Sequence, residues 1–204
     1  MKKTILAGYS GHGFVVAEAA LLSDIKIDGY LEPNEVFPNH FNLKHLGFEL
    51  DPHFDWETDN DFILGIGDNT IRHKLGKLIL SKGKEIINII HPDASISKMI
   101  KLGVGNFIAR NASVNPMVEI GNFCIINTGA IIEHECLIKD AVHIGPGAVL
   151  AGNVKIGNNT FIGANSVIKQ GLNIGANVII GAGSVIIKDI GDNNKIVGNP
   201  GREI

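Results

Sequence analysis

The stretch NTGAIIEHECLIKDAVHIGPGAVLAGNVKIG, residues 127–157, carries an aliphatic residue at every sixth position. The same spacing runs from Ile96 to Ile186, and all sixteen positions of that series hold Ile, Leu or Val. A helix repeats every 3.6 residues and a strand alternates every two, so neither alone produces a period of six. A short strand followed by a turn, repeated many times, does produce it. The sequence therefore predicts a parallel β-helix.

Three units of six residues would form one triangular coil of eighteen residues. Strands of successive coils would stack in parallel about 4.8 Å apart, with the aliphatic series filling the interior. About five coils are expected, and residues eighteen apart would lie above one another. Because the two ends of such a stack are open, we expect residues 1–91 to cover the first coil and residues 191–204 to cover the last.

The composition argues against several classes of protein. A net charge of −3, without a block of lysine or arginine, does not fit a nucleic-acid-binding protein. The apolar run in KKTILAG is too short for a signal peptide or a membrane span, so we expect a soluble cytoplasmic protein. The only cysteines, Cys124 and Cys136, are predicted to be small buried side chains rather than disulfide partners or zinc ligands.

Residues 1–91 contain most of the aromatic side chains and predict a small Rossmann-like βαβ domain. The β-helix would then occupy residues 92–190, and a C-terminal tail residues 191–204. The predicted strands of the first domain span residues 4–7, 25–31, 62–66 and 85–90. Its predicted helices span residues 13–22 and 70–81. The overall fold class is therefore α/β followed by all-β.

A glycine loop, GYSGHG at residues 8–13, links the first predicted strand to the first helix. It has serine where a dinucleotide-binding fingerprint has its second glycine, so NAD binding is disfavoured. A helix N-terminus nevertheless favours anions, and Glu32 follows at the end of the next strand. The loop is therefore either the site of a different nucleotide or a plain strand-to-helix turn.

GYSGHG and the hexapeptide stretch, together with GIGDNTIR (residues 65–72) and the C-terminal GNPGR, resemble the sugar acetyltransferases of the NeuD/PglD type. These enzymes belong to the left-handed β-helix hexapeptide acyltransferases, and the resemblance covers essentially the whole chain. It implies a homotrimer without a metal. Acetyl-CoA would lie along the β-helix between subunits, and a nucleotide-linked amino sugar would lie on the N-terminal domain.

The resemblance also implies roles for individual residues. His134 would be the general base, and Glu135 would orient it and raise its basicity. The residues implied to contact acetyl-CoA are His143, Ala164 and Ala182. Those implied to contact the nucleotide sugar are Ser10, Gly11, His12, Glu32 and Gly67. One departure bears on the nucleotide contacts, since Glu32 is followed by Pro33 where relatives can carry consecutive acidic residues.

The eighteen-residue coil indicates part of the same site independently. Gly152 lies eighteen residues after His134, and a glycine there would leave a gap above the imidazole and expose an N–H for an oxyanion. A column of small residues, Pro146, Ala164 and Ala182, would leave a slot for the pantetheine arm. The spacing does not decide between Glu133 and Glu135 as the partner of His134, whereas the resemblance favours Glu135.

We therefore expect acetyl-CoA-dependent N-acetylation of a UDP-4-amino-4,6-dideoxy sugar in bacterial glycan synthesis. Three alternatives remain. The acceptor could be a sialic-acid-type hydroxyl. The chain could be a hydratase of the γ-carbonic-anhydrase type, but His134 and His143 lie nine apart instead of in the His-x4-His pair that holds zinc there. It could also be a non-catalytic nucleotide-sugar scaffold, which would need a degenerate site.

Overall fold

The computed structural model describes residues 2–204. The N-terminal part of the chain forms a parallel sheet with the strand order β2-β1-β3-β4, joined by two helices. The elements are β1 (Lys3–Ala7), α1 (Gly11–Leu22), β2 (Gly29–Leu31), β3 (Asn60–Leu64), α2 (Asn69–Ser81) and β4 (Glu85–Ile86). Helices joining parallel strands make this an α/β unit of the predicted βαβ type.

Some element boundaries differ from the prediction. Helix α1 begins at Gly11, two residues early, because Ser10 takes the extended conformation of an N-cap residue. The predicted strand over residues 25–31 shortens to β2, which pairs with β1 only from Gly29 to Leu31. The predicted strand over residues 85–90 divides in two. Its first half is β4, and its second half, Ile89–Ile90, belongs to the β-helix.

The rest of the chain is built from short strands at six-residue steps. They are β5 (Ile89–Ile90), β6 (Ser95–Ile96), β7 (Lys101–Leu102), β8 (Phe107–Ile108), β9 (Ser113–Val114), β10 (Glu119–Ile120), β11 (Ile125–Ile126), β12 (Ile131–Ile132), β13 (Leu137–Ile138), β14 (His143–Ile144), β15 (Val149–Leu150), β16 (Lys155–Ile156), β17 (Phe161–Ile162), β18 (Val167–Ile168), β19 (Asn173–Ile174), β20 (Ile179–Ile180), β21 (Val185–Ile186), β22 (Lys195–Val197) and β23 (Arg202–Glu203).

These strands form the three faces of a prism. One face has the order β19-β16-β13-β10-β7, the second β23-β22-β20-β17-β14-β11-β8-β5, and the third β21-β18-β15-β12-β9-β6. Paired residues such as Ile132 and Leu150 are eighteen apart, and the aliphatic series fills the interior. The six-stranded face shows six turns instead of the five expected, because the aliphatic series begins and ends on this face, at Ile96 and Ile186.

The corners of the prism share one backbone conformation. From residue 105 to residue 183, every sixth residue has a positive φ, between 54° and 73°. Asparagine or glycine occupies most of these positions, as expected for the left-handed region. Glu135 is one of the exceptions, with a φ of 62°. The period of six therefore encodes the corners as well as the core.

The N-terminal domain lies on the flank of the β-helix and not over its open end, contrary to our expectation. Outward-facing Ile89, Phe107 and Ile125 of the eight-stranded face pack in one cluster with Tyr9 and Val16 of the domain. The C-terminal residues extend the same face, since β22 pairs in parallel with β20 and β23 pairs antiparallel with β22. The flank position brings α2 against the middle coils.

Both cysteines are fully buried in the interior of the prism. Burial raises the pKa of the Cys124 thiol to about 12 and that of the Cys136 thiol to about 11. Within residues 2–204, no helix is long and apolar enough to cross a membrane. The same residues contain no cluster of three or more His, Cys, Asp or Glu side chains that could hold a metal ion.

Candidate active site

His134 lies on the corner between β12 and β13, where its side chain is 58% exposed. Its Nδ1 lies 3.0 Å from Oε2 of Glu135. Because a carboxylate only accepts hydrogen bonds, Nδ1 carries the proton and Nε2 keeps a free lone pair. Glu133 does not compete, since its Oε2 accepts a hydrogen bond from Asn115 Nδ2 at 2.9 Å. The geometry therefore pairs His134 with Glu135.

Gly152 packs directly against the imidazole of His134. A Cβ at residue 152 would come within 2.7 Å of both Cε1 and Nε2 of the ring. Any side chain there would displace the imidazole, so the position requires glycine on grounds of space, although its φ is not positive. Neither the Gly152 N–H nor the His134 N–H has a hydrogen-bond partner within residues 2–204.

A comparison with the next corner of the same coils explains why the His134 N–H is free. There, the Asn122 N–H donates to Asp140 Oδ1 at 2.8 Å, and the Asp140 N–H donates to Asn158 Oδ1 at 3.0 Å. These two corner amides are thus each satisfied by the side chain one coil later. His134 has Gly152 in that position, which offers no acceptor. The corner therefore presents backbone donors beside an imidazole with a free lone pair.

A second group of predicted residues lines a cavity of about 430 Å³ in the N-terminal domain. Ser10, Glu32 and Gly67 line it, at the N-terminal end of α1, whose first turn contains no acidic residue. One oxygen of Glu32, Oε1, accepts the Tyr9 N–H at 2.6 Å and so shapes the glycine loop. Gly11 is the first residue of α1, and a Cβ there would meet no atom within 4 Å.

Glu49 lines the same cavity and was not identified from the sequence. Its side chain is buried, and burial together with the nearby Glu32 raises its pKa. Carboxyl groups in this position can bind the hydroxyl or N–H donors of a ligand, and the α1 N-terminus favours its anionic part. Apart from the helix end, the cavity has no cationic lining residue among those described.

His12 and His143 form a third group, where α1 meets β14. Their ring centroids are 6.3 Å apart. Asn127 Oδ1 accepts the Thr128 N–H at 2.8 Å, which turns Asn127 Nδ2 towards His143 Nε2 at 3.1 Å. This contact assigns the acceptor role to Nε2 and the hydrogen to Nδ1, which is buried without a partner in the described chain.

Both of these histidines are held in the neutral form. Burial, followed by the charge of Arg72, lowers the pKa of His12 to about 4. The same two causes, in the same order, lower the pKa of His143 to about 3. At neutral pH these rings therefore offer hydrogen bonds rather than positive charge.

His134 and His143 are not brought together within one chain. His143 lies on the eight-stranded face beside the N-terminal domain, whereas His134 lies at the corner between the six-stranded and five-stranded faces. Ala164 and Ala182 stack on the corner between those two faces, where the Gly183 N–H donates to the Ala164 carbonyl at 2.8 Å. The predicted acetyl-CoA residues and the His134 corner thus lie along opposite edges of the six-stranded face.

Models of known protein families match both parts of the chain. The model of the PglD N-terminal domain matches residues 3–79, and that of the bacterial transferase hexapeptide repeat matches residues 135–170 and 153–188. A histidine-to-asparagine variant of perosamine N-acetyltransferase from Caulobacter crescentus, solved with CoA and GDP-perosamine, is 30% identical. The match covers 100% of this chain and 97% of that one, with a TM-score of 0.93.

The chain belongs to the PglD-type hexapeptide-repeat sugar acetyltransferases. The acetyltransferase domain of PglB from Neisseria gonorrhoeae, solved with acetyl coenzyme A, is 31% identical over 100% of this chain and 99% of that one, with a TM-score of 0.93. WeeI from Acinetobacter baumannii shares the fold at 24% identity, covering 100% of both chains with a TM-score of 0.85. No curated protein sequence matches the chain.

Membership of the PglD-type family confirms the predicted fold class, an α/β domain followed by a left-handed β-helix. Asn127, which contacts His143, was not identified from the sequence. The position after the aliphatic residue departs from glycine or alanine at seven of the sixteen places, so the departure at Asn127 did not single it out. Arg72, which hydrogen-bonds to both domains, lies in the quoted GIGDNTIR loop but was given no role.

Proposed function

We propose that the protein transfers the acetyl group of acetyl-CoA to the amine of a nucleotide-linked amino sugar. The observation that carries the proposal is the His134 corner, where an imidazole with a free Nε2 stands beside two unpaired backbone N–H groups. Two relatives support the substrates, since one was solved with CoA and GDP-perosamine and the other with acetyl coenzyme A.

In the proposed reaction the acceptor amine attacks the thioester carbonyl directly. The new C–N bond forms as the carbonyl electrons move to oxygen, and Nε2 of His134 takes a proton from the amine. The Gly152 N–H donates to the oxyanion, while Glu135 stabilises the imidazolium through Nδ1. Collapse of the intermediate breaks the C–S bond, and His134 returns the proton to the sulfur of CoA. No covalent acyl-enzyme is needed.

The two substrates would approach from different parts of the molecule. The small side chains of Ala164 and Ala182 leave room for the pantetheine arm along their corner, and His143 lies on the neighbouring face at the acetyl-CoA end of the site. The cavity lined by Ser10, Glu32 and Gly67 would hold the nucleotide, with His12 and Gly11 beside it. Both proposed substrates are anionic and cross bilayers poorly, which supports a cytoplasmic location.

A homotrimer would bring the two halves of the site together. The outward-facing residues of the six-stranded face include an aliphatic column, Ile131, Val149, Val167 and Val185. Ile131 is 37% and Val167 40% exposed in the single chain, whereas the five-stranded face presents Lys101, Glu119 and Lys155. A neighbouring subunit covering the aliphatic column would place its acceptor domain beside His134.

The acceptor is tested by a turnover screen. Acetyl-CoA would be offered with UDP-4-amino-4,6-dideoxy sugars, GDP-perosamine and sialic acids, with release of the CoA thiol as the readout. We expect turnover with a nucleotide-linked 4-amino sugar. Turnover with sialic acids alone would make the enzyme an O-acetyltransferase, and no turnover with any acceptor would contradict the proposal.

A further inference from the structure

Arg72 is the largest fully buried side chain of the described residues, with 1% of its surface exposed. All five of its N–H donors are used. Nε donates to the Phe123 carbonyl at 2.7 Å, Nη1 to the Ile66 and Gly67 carbonyls at 3.2 and 2.9 Å, and Nη2 to Asn69 Oδ1 and the Ala141 carbonyl at 2.8 and 3.2 Å. One guanidinium thus joins both domains.

We propose that Arg72 is a positioning residue that fixes the acceptor loop, Ile66 and Gly67, relative to His143. This inference rests on the proposed function. Ile66 and Gly67 form part of the wall of the cavity that would bind the nucleotide sugar. Ala141 lies two residues before His143, at the corner from which β14 begins. The side chain therefore spans the short path between the acceptor loop and the acetyl-CoA end of the site.

The absence of a carboxylate partner argues that Arg72 does more than fill space. Burying a cation costs free energy that an apolar side chain of similar volume avoids. Arg72 has no salt-bridge partner in the described chain. The cost of burying its charge is offset only by hydrogen bonds to carbonyl and amide oxygens around the guanidinium. Such an arrangement is specific to guanidinium geometry, because lysine has three donors on a single nitrogen.

Attachment of the two domains does not depend on Arg72 alone. Ser23 Oγ donates to the Ile90 carbonyl at 2.8 Å, His73 Nδ1 donates to Asn159 Oδ1 at 2.7 Å, and an apolar cluster covers the remaining contact. These links leave the domain docked if Arg72 is changed. The carbonyls of Ile66, Gly67, Phe123 and Ala141 would lose a donor, and of these residues Ile66 and Gly67 line the cavity.

The same side chain acts electrostatically on the two buried histidines. Its charge, after burial, lowers the pKa of His12 and of His143, so both rings stay neutral. A neutral His143 keeps the Nδ1–H donor and Nε2 acceptor arrangement fixed by Asn127. Arg72 would thus set both the distance and the hydrogen-bonding pattern between the two ends of the site.

The test compares Arg72→Lys with Arg110→Lys as the matched control. Arg110 also links the domains, through Glu18 of α1 at 3.5 Å, but it touches neither the cavity nor His143. Because the β-helix coils stay fixed while the loop shifts, we expect Arg72→Lys to raise the acceptor KM and lower kcat, reducing kcat/KM about tenfold to a hundredfold. The acetyl-CoA KM should change less than about twofold, and Arg110→Lys should match wild type.

Thermal melting and Arg72→Gln accompany the kinetics. Acceptor kinetics within twofold of wild type, or equal increases in both KM values, would overturn the inference. Should Arg72→Lys not fold, Arg72→Gln decides, and failure of both to fold would make Arg72 a determinant of folding only. A wild-type enzyme inactive with every acceptor would instead count against the proposed function.

Discussion

The ring of His134 rests against the backbone of Gly152, so closely that a single added carbon would lie 2.7 Å from its Nε2. The two residues belong to adjacent coils, joined by the Asn153 N–H donating to the His134 carbonyl at 2.8 Å. The imidazole therefore occupies space that is open only because Gly152 has no side chain. Substitutions on the two sides of this contact should have different signatures.

Gly152→Ala should push the imidazole from its place without removing the N–H beside it. We expect kcat to fall about tenfold or more at every pH, since orientation rather than protonation is disturbed. The control is Gly191→Ala, where an added Cβ meets only Asn194 Nδ2 at 3.6 Å. Steady-state kinetics with melting curves check this, and unchanged kcat in Gly152→Ala would contradict the contact's importance.

His134→Ala should remove the base. We expect turnover near neutral pH to fall about a hundredfold to ten-thousandfold, the usual contribution of a general base. The reduction in turnover relative to wild type should become smaller as the pH rises, because more of the acceptor amine is then already deprotonated. His53→Ala, an exposed residue outside the corner, serves as the control. A variant keeping more than about half of wild-type turnover would rule out the general-base role.

Glu135→Gln should give an effect between those of wild type and His134→Ala. The substitution keeps the shape of the side chain but removes the charge that stabilises the imidazolium through Nδ1. Glu133→Gln is the matched control on the other side of the histidine, where the carboxylate contacts Asn115 instead. The comparison is made on kcat, and a larger loss in Glu133→Gln would reverse the assignment.

The buried histidines should make stability depend on pH in the acid range. The folded pKa values of His12 and His143, about 4 and about 3, lie below the unfolded value near 6.5. The unfolded chain therefore binds more protons than the folded chain below pH 6.5. The free energy of unfolding is unaffected by these histidines above that pH and decreases as the pH falls below it. Each group can contribute up to about 1.4 kcal/mol per pH unit.

Melting temperatures measured between pH 7 and pH 5 test this dependence. We expect His143→Gln to melt with a shallower pH dependence than wild type, because one of the two titrating groups is gone. His53→Gln, at an exposed position, should retain the wild-type slope. Identical slopes in all three proteins would mean that His143 is not held neutral by the fold.

Charge placed on the aliphatic column should dissociate the proposed trimer. Val149 and Val167 lie on paired strands of the six-stranded face, and replacing both by aspartate would bury two charges in an interface. Sedimentation should show one chain of 21.8 kDa instead of a trimer, with turnover lost. Lys155→Asp, on the five-stranded face, should leave the mass unchanged, and a monomeric wild type would contradict the proposal.

The repeat and the His134 corner were readable because a period of six converts directly into neighbours in space. Gly152 could be placed beside His134 from spacing alone. The choice between Glu133 and Glu135 could not be made this way. It depends on which carboxylate reaches the ring: Oε2 of Glu135 lies 3.0 Å from His134 Nδ1, whereas Glu133 contacts Asn115.

The position of the N-terminal domain and the contacts across the domain boundary were not predicted. An open coil end and an apolar flank both need covering, and the sequence did not reveal that outward-facing Ile89, Phe107 and Ile125 would be the surface used. Arg72 was missed for the same reason. Its acceptors are backbone carbonyls, such as that of Phe123, which leave no side-chain signature.

The buried thiols have a practical consequence for enzymology. Cys124 and Cys136 point into the aliphatic interior with no exposed surface, and their raised pKa values leave almost no thiolate near neutral pH. A chromogenic disulfide reagent should therefore react with neither in the folded protein. The native enzyme can be kept in such a reagent throughout a continuous assay, and the colour that develops reports only the coenzyme released at each turnover.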